Sequence, residues 1–226
     1  MLDSFIRREN EIFEILKKFQ EKGLDFILVG GYAVAVYRHR FSIDADIVIS
    51  HENLAAFEKV LHGNGFERRI SKVLPYKGEF RQYVKKSELP VTADLLIGGL
   101  AVRQTNASWD FQYISEHSEI KPLQGISTEI EVKIPEKELL IAMKLHSARA
   151  TDLRDVVALF EGVSLRKIEE YLNYPKKDCT DSLQTALKML EDPRLSDAFK
   201  GSFQTKRFEE STIIKLKKFI ESKLSE

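Results

Sequence analysis

Asp44 and Asp46 lie two residues apart inside Phe26 to Ser50, an otherwise apolar stretch that also holds the pair Gly30-Gly31. In a strand, residues two apart project from one face, so the two carboxylates point together while Ile43, Ala45 and Ile47 point the other way. Neighbouring carboxylates repel and raise each other's pKa unless a cation lies between them. A divalent ion with hard oxygen ligands resolves the conflict, and Mg²⁺ commonly takes one or two carboxylates plus substrate phosphates. The glycine pair fits the same chemistry. Where a strand turns into a helix, glycines let backbone N–H groups approach a phosphate. A third carboxylate, Asp94, sits mid-strand in "VTADLLIG" among Val91, Ala93, Leu95 and Ile97. If that strand lies beside Asp44–Ile49, the three acids can hold two ions about 3.5–4 Å apart, the spacing that clamps the attacking and leaving oxygens of an in-line phosphoryl displacement.

The elements that must position these residues are legible from periodicity. Residues 2–22 carry apolar side chains at three- and four-residue spacing with Gly23 as a stop, which predicts an amphipathic helix. Phe26–Val29 reads as a short strand, Tyr32–Arg38 as a short helix, Asp44–Ile49 as a strand and Glu52–His62 as a helix ended by "GNG". The period then switches to two, with strands expected at 66–70, 79–85 and 91–97, joined by turns at "PYKG" and "SELP". A further strand is expected at 130–135. Beyond Pro135 the pattern is helical only, at roughly 136–150, 153–161, 165–172, 180–190 and 209–224. The chain is therefore expected to be α/β (α+β), with a mixed sheet flanked by helices over residues 1–135 and an all-helical part over 136–226.

Bulk properties exclude some partners. The 226 residues carry 35 Lys plus Arg and 35 Asp plus Glu, so no global charge drives the chain onto nucleic acid or a membrane. One cysteine, Cys179, excludes an intramolecular disulfide and fits a reducing compartment. The charged first ten residues do not resemble a signal peptide, and the apolar run Phe26–Tyr37 is too short to span a bilayer. A cytoplasmic location and no membrane partner are expected.

Gly30-Gly31, then Asp44-Ala45-Asp46, then Asp94 on a later strand, resembles the active-site pattern of the DNA polymerase beta-like nucleotidyltransferase superfamily. The resemblance extends to minimal prokaryotic members, including the AbiE toxin-like group, whose Arg–x–Ser/Thr–x–Asp–x–Asp run is matched by Arg40, Ser42, Asp44 and Asp46. It implies that Gly30 and Gly31 hold the triphosphate of a nucleoside triphosphate. It also implies that Asp44, Asp46 and Asp94 bind Mg²⁺ (or Mn²⁺), and that Asp94 activates an acceptor hydroxyl. Downstream, Lys144, Asp152 and Asp155 match a lysine and an aspartate-rich segment that follow the catalytic part, which makes Lys144 a candidate substrate-binding residue. The resemblance covers roughly 26–50, 91–97 and 139–160. One departure is Tyr32, where the family often has a small residue. A side chain of that size would crowd the triphosphate or stack on a base.

Plainer readings exist for each feature. The glycine pair also suits a tight turn, and the acid pair a solvated strand end. Arg40 suits an ion pair with Asp44 or Asp46 as well as a phosphate contact. Lys144, among Leu140, Ile141 and Leu145, either snorkels or reaches the phosphates. Asp152 or Thr151 suits a helix cap. The five histidines show no metal-ligand spacing, and the basic pairs suit solvated faces. The expected function is transfer of a nucleoside monophosphate to an acceptor hydroxyl. The resemblance implies RNA or protein as acceptor, in a toxin–antitoxin setting with an antitoxin partner. The alternatives are a small-molecule, antibiotic-type acceptor, or a degenerate relative that only binds.

Overall fold

In the computed structural model, which describes residues 2–73, 78–208 and 210–225, the N-terminal apolar stripe forms α1 (Leu2–Glu21). It buries Ile12, Phe13, Leu16 and Phe19 completely. The chain continues through β1 (Phe26–Val29), α2 (Gly30–Ala35), β2 (Asp44–Ile49), α3 (Leu54–Gly63), β3 (Glu67–Val73), β4 (Glu79–Lys85) and β5 (Val91–Ile97). Of the two expected turns in this region, most of "PYKG" lies outside the described residues, and "SELP" joins β4 to β5.

The five strands form one mixed sheet in the order β1-β2-β5-β4-β3. Only β2 and β5 run parallel; the other pairs are antiparallel. One face of the sheet carries Ala45, Ile47, Ala93, Leu95 and Tyr83, all fully buried. Helices α1 and α3 cover that face. Phe19 and Phe57 meet edge to face with ring centroids 4.7 Å apart, Lys85 pairs with Glu11 of α1 at 2.6 Å, and the Tyr83 hydroxyl donates to Glu58 of α3. Arg81 reaches the same Glu58 at 2.6 Å, so β4 is pinned to α3 through its odd-numbered residues. Its even-numbered residues are thereby left on the opposite face.

Two short strands, β6 (Gly99–Ala101) and β7 (Ser108–Asp110), form a second sheet. After α4 (Phe111–Glu116), β8 (Ser118–Gln124) and β9 (Glu129–Pro135) form a third. Sequence periodicity misses α4 and β8 for physical reasons. Helix α4 has six residues and depends on Asp110, whose carboxylate accepts from the Tyr113 N–H at 2.7 Å. Strand β8 contains Pro122 and leaves Ile120 exposed, which only an edge position in a two-stranded ribbon tolerates.

By internal contacts the chain divides into two units, Met1–Leu100 with Trp109–Pro135, and Ala101–Ser108 with Glu136–Glu226. The second consists mainly of α5 (Lys137–Ser147), α6 (Ala150–Leu159), α7 (Leu165–Asn173), α8 (Thr180–Leu190), α9 (Arg194–Ser202) and α10 (Glu210–Leu224). Helix α9 escapes the sequence pattern because only Leu195 and Phe199 of its nine residues are buried. Helix α5 is buried all round from Leu139 to Ser147, as befits a central helix. Ala148 ends it in the left-handed region at φ 44°. His146 joins it to its own unit: Nδ1 lies 2.9 Å from the Thr105 hydroxyl and Nε2 3.0 Å from the Leu172 carbonyl. That carbonyl requires a donor, so Nε2 carries the proton and Nδ1 accepts. Burial lowers the His146 pKa and keeps the ring neutral. No helix among the described residues is long and apolar enough to cross a membrane.

Lys144 has partners that its apolar neighbours do not announce. Only 7% exposed, its Nζ lies 2.7 Å from Asp155 Oδ2 and 3.3 Å from Asp152 Oδ1, both on α6. This corrects the snorkelling reading of the residue. The ammonium does not reach out to water, because two carboxylates of its own unit hold it. Asp152 does contribute to the start of α6, from the third helical position, by accepting from the Arg149 N–H at 3.3 Å and from Arg149 Nε at 2.7 Å. Burial works against its charge, but Arg149 and Lys144 outweigh burial and hold Asp152 below the usual carboxylate range. Removing one member of such a cluster strands the rest without compensation. Lys144→Met is therefore expected to cost about 3–5 kcal/mol of stability, measured by chemical denaturation. A variant as stable as the wild type would refute the pairing.

Candidate active site

Three aspartates from two strands converge because of one register. Alternation along β2 puts Asp44 and Asp46 on the sheet face away from α1 and α3. The parallel pairing of β2 with β5 sets Asp46 opposite Asp94 and Asp44 opposite Thr92. Carboxylate oxygens of Asp44, Asp46 and Asp94 all lie within 4.8 Å of one another. Beneath them Ala45 and Ala93 fill the opposite face without exposure. Ile43, read from the sequence as part of that apolar face, precedes the strand and is 68% exposed.

Asp94 is the most buried of the three, at 6% exposure. Burial raises its pKa, a hydrogen bond donated by Gln82 Nε2 at 3.1 Å opposes the rise, and the Asp44 charge adds to it, giving about 6. Gln82 is a site residue that the sequence does not reveal. It sits opposite Asp94 across β4 and β5, and its direction follows from Arg81 and Tyr83 being held on the other face. The only sequence signal is the alternation in "EFRQYVK", which names a face but no partner.

The glycine pair is required by close approach. Gly30 adopts φ +61°, and a Cβ there would land on the Asp46 carboxylate. A Cβ on Gly31 would strike the Ser42 hydroxyl and stand 2.9 Å from Arg40 Nη2. The structure thus brings together Gly30 with Asp46, and Gly31 with Arg40 and Ser42, at the start of α2. No side chain caps that helix start. Ser42 is buried and Arg40 partly so, with Nη1 3.4 Å from the Phe41 carbonyl. Tyr32 neither crowds a triphosphate nor offers a face for stacking. Its ring is 2% exposed and packs edge-on to Phe13 with centroids 6.3 Å apart. Burial first, then Glu9, pushes its phenol pKa far up. The short helix begins at Gly30 rather than Tyr32, and this turns the Tyr32 ring inward.

The donor set suits a small divalent cation. Three carboxylates supply hard oxygen ligands for Mg²⁺ or Mn²⁺. Their mutual repulsion and the raised Asp94 pKa mark a place where positive charge is stabilising.

The sequence matches no family model and no curated protein. The structure does have counterparts. The solution structure of the antibiotic-resistance factor ANT(2'')-Ia aligns over 78% of this chain and 93% of its own, with a TM-score of 0.54 at 13% identity. The crystal structure of ANT(2'')-Ia in complex with adenylyl-2''-tobramycin aligns over 73% and 94%, with a TM-score of 0.50 at 14% identity. The chain has a nucleotidyltransferase fold. A third structure, the lincomycin-bound lincosamide antibiotic adenylyltransferase LnuA, aligns over 69% and 98%, with a TM-score of 0.49 at 18% identity. Within this nucleotidyltransferase fold, the acid triad and the glycine turn lie in the unit that carries the five-stranded sheet.

The raised Asp94 pKa has a consequence for the metal-free protein. The unfolded carboxyl titrates near 3.8 and the folded one near 6, so the folded state binds the proton more tightly. Stability from this group is full below about pH 4 and falls as pH rises through 6, by roughly 2–3 kcal/mol. In chelator, Asp94→Asn is expected to be more stable than the wild type at pH 8 by about that amount. The difference should disappear near pH 4. Parallel stability curves across this range would refute the assignment.

Proposed function

We propose that the protein is a metal-dependent nucleotidyltransferase that moves a nucleoside monophosphate from a nucleoside triphosphate to an acceptor hydroxyl. The observation that carries this reading is the Asp46–Asp94 register, which gathers three carboxylates beside the start of α2. Asp44, Asp46 and Asp94 would hold Mg²⁺ or Mn²⁺. When bound, such ions neutralise phosphate charge and lower the pKa of a coordinated hydroxyl. The backbone N–H groups of Gly30 and Gly31, with Arg40 and Ser42, would receive the triphosphate. Arg40 adds a charge-assisted contact to the phosphate oxygens, where negative charge spreads during transfer. Asp94 Oδ1 is engaged by Gln82, which leaves Oδ2 to accept the proton of the attacking hydroxyl. The new O–P bond forms at the α-phosphate as the bond to the β-phosphate bridging oxygen breaks, and pyrophosphate leaves. Residues 1–135 are the catalytic part in this reading, and 136–226 a helical domain. Lys144 ties α5 to α6 in that domain through Asp155 and Asp152.

Two acceptor classes follow from separate observations. The Arg40–Ser42–Asp44–Asp46 run resembles AbiE-type toxins, which favours RNA or protein as acceptor and an antitoxin as partner. The ANT(2'')-Ia complex holds an adenylylated small molecule, which favours a small-molecule hydroxyl. Transfer of label from α-phosphate-labelled nucleotide onto total RNA, total protein and an aminoglycoside and lincosamide panel separates them. With any acceptor, Asp44→Asn and Asp46→Asn are each expected to retain the fold, to bind Mn²⁺ much more weakly by calorimetry, and to transfer label at least roughly 10²–10³-fold more slowly. Unchanged metal affinity in both variants would sink the proposal.

A further inference from the structure

The N-terminal turns of α1 hold a cation that the site described above leaves out. Three aromatic contacts fix how α1 lies against the segments that follow it. Phe19 meets Phe26 at the start of β1, with centroids 5.8 Å apart. Phe13 meets Tyr32 in α2 at 6.3 Å, and Phe5 meets Phe41, just ahead of β2, at 5.6 Å. Arg8 lies between Phe5 and Phe13, so it stands level with α2 and with the stretch that carries Arg40 and Ser42. Its guanidinium carbon sits 5.2 Å from the centre of the Phe5 ring, and the residue is only 7% exposed. The Tyr32 phenol lies in the fields of Glu9, Arg8, Asp44 and Arg40 together, which gathers these four charges around one side chain.

The carboxylates nearest Arg8 in the helix are engaged elsewhere. Glu9 accepts from the Ile126 N–H at 2.8 Å and has His39 Nε2 at 3.5 Å. Glu11 pairs with Lys85 at 2.6 Å. Glu88, which faces this end of α1, pairs with Arg7 and accepts from Ser4 at 2.8 Å. Among the described residues the Arg8 guanidinium makes no hydrogen bond or ion pair. The residue as a whole is buried, yet its guanidinium nitrogens keep contact with water, so an anion can reach them and meet a cation that no carboxylate of the protein engages. Its planar fork matches phosphate oxygens.

We propose that Arg8 is a phosphate-binding residue that takes the polyphosphate tail of the nucleotide together with Arg40 and the α2 start. The inference rests on the nucleotidyltransferase reading and adds to it a residue outside the glycine and aspartate motifs. A purely structural Arg8, packing its stem on Phe5, makes the opposite forecast for stability and none for ligand.

The test is calorimetric titration with inorganic tripolyphosphate in Mg²⁺, alongside melting temperatures without ligand, for the wild type, Arg8→Met and Arg8→Lys. Arg8→Met is expected to bind tripolyphosphate at least tenfold more weakly, and to melt at or above the wild-type temperature because Arg8 has no hydrogen bond or ion pair within the protein to lose. Arg8→Lys, which keeps the charge and loses the fork, is expected to fall between the two. It decides the case if Arg8→Met folds poorly: a folded Arg8→Lys with wild-type affinity and a lower melting temperature would overturn the proposal. Equal affinities in the wild type and Arg8→Met would also overturn it, while leaving the nucleotidyltransferase reading intact. A wild type that binds neither tripolyphosphate nor ATP would overturn both.

Discussion

Repulsion among three carboxylates on one sheet face is the constraint around which the first unit is arranged. Water separates such charges in an unfolded chain, whereas the β2–β5 register holds their oxygens within 4.8 Å of one another. That arrangement persists only because the opposite side of the same strands is packed so well. Ala45, Ile47, Ala93 and Leu95 are fully buried under α1 and α3, and apolar burial at roughly 25 cal/mol per Å² outweighs a local electrostatic penalty of a few kcal/mol. The small residues Ala45 and Ala93 lie directly behind Asp44, Asp46 and Asp94, so the helices approach closely where the sheet bears its charge. Stability comes from one face, and the carboxylates stand on the other.

What the sequence made legible depends on the range of the interaction involved. The pairing of Asp44 with Asp46 on one face is a consequence of strand alternation alone, and the strand is there. The glycine turn is equally local. The position of Asp94 needed a further premise, that its strand neighbours β2 although β3 and β4 lie between them in the chain. Alternation cannot supply that premise. It follows from the parallel connection, which places β4 and β3 outside β5. Gln82 was invisible for the same reason, since its role exists only through a cross-strand partner 12 residues away. The second unit was legible as helices, but not the exposed α9, whose two buried residues leave no periodic stripe.

Lys144 and Arg8 show why a buried cation cannot be assigned from its neighbours in sequence. Both lie on helices rich in apolar residues, and both are 7% exposed. Lys144 is answered within its unit by Asp152 and Asp155, eight and eleven residues on, so its charge helps to hold α5 to α6. Arg8 has carboxylates closer in sequence, at Glu9 and Glu11, yet each of these is turned to another partner. A cation with its own counter-ions stabilises the fold. One without them is suited to a ligand that brings the negative charge.

The two glycines carry the same lesson to the backbone. A glycine pair before an acid pair suggests a phosphate cradle, and the helix start at Gly30 leaves N–H groups without a side-chain cap. Yet the immediate reason for glycine at both positions is internal. Asp46 fills the space of one missing Cβ, and Ser42 with Arg40 fills the other. These are the same residues that the proposed metal and phosphate chemistry uses. A methyl group at Gly30 would displace the Asp46 carboxylate, and one at Gly31 would displace the Ser42 hydroxyl and the Arg40 guanidinium beside the helix start. The steric reason for the motif and the proposed chemical one therefore coincide: the backbone has to be bare so that the acid, the hydroxyl and the guanidinium can close around the start of α2.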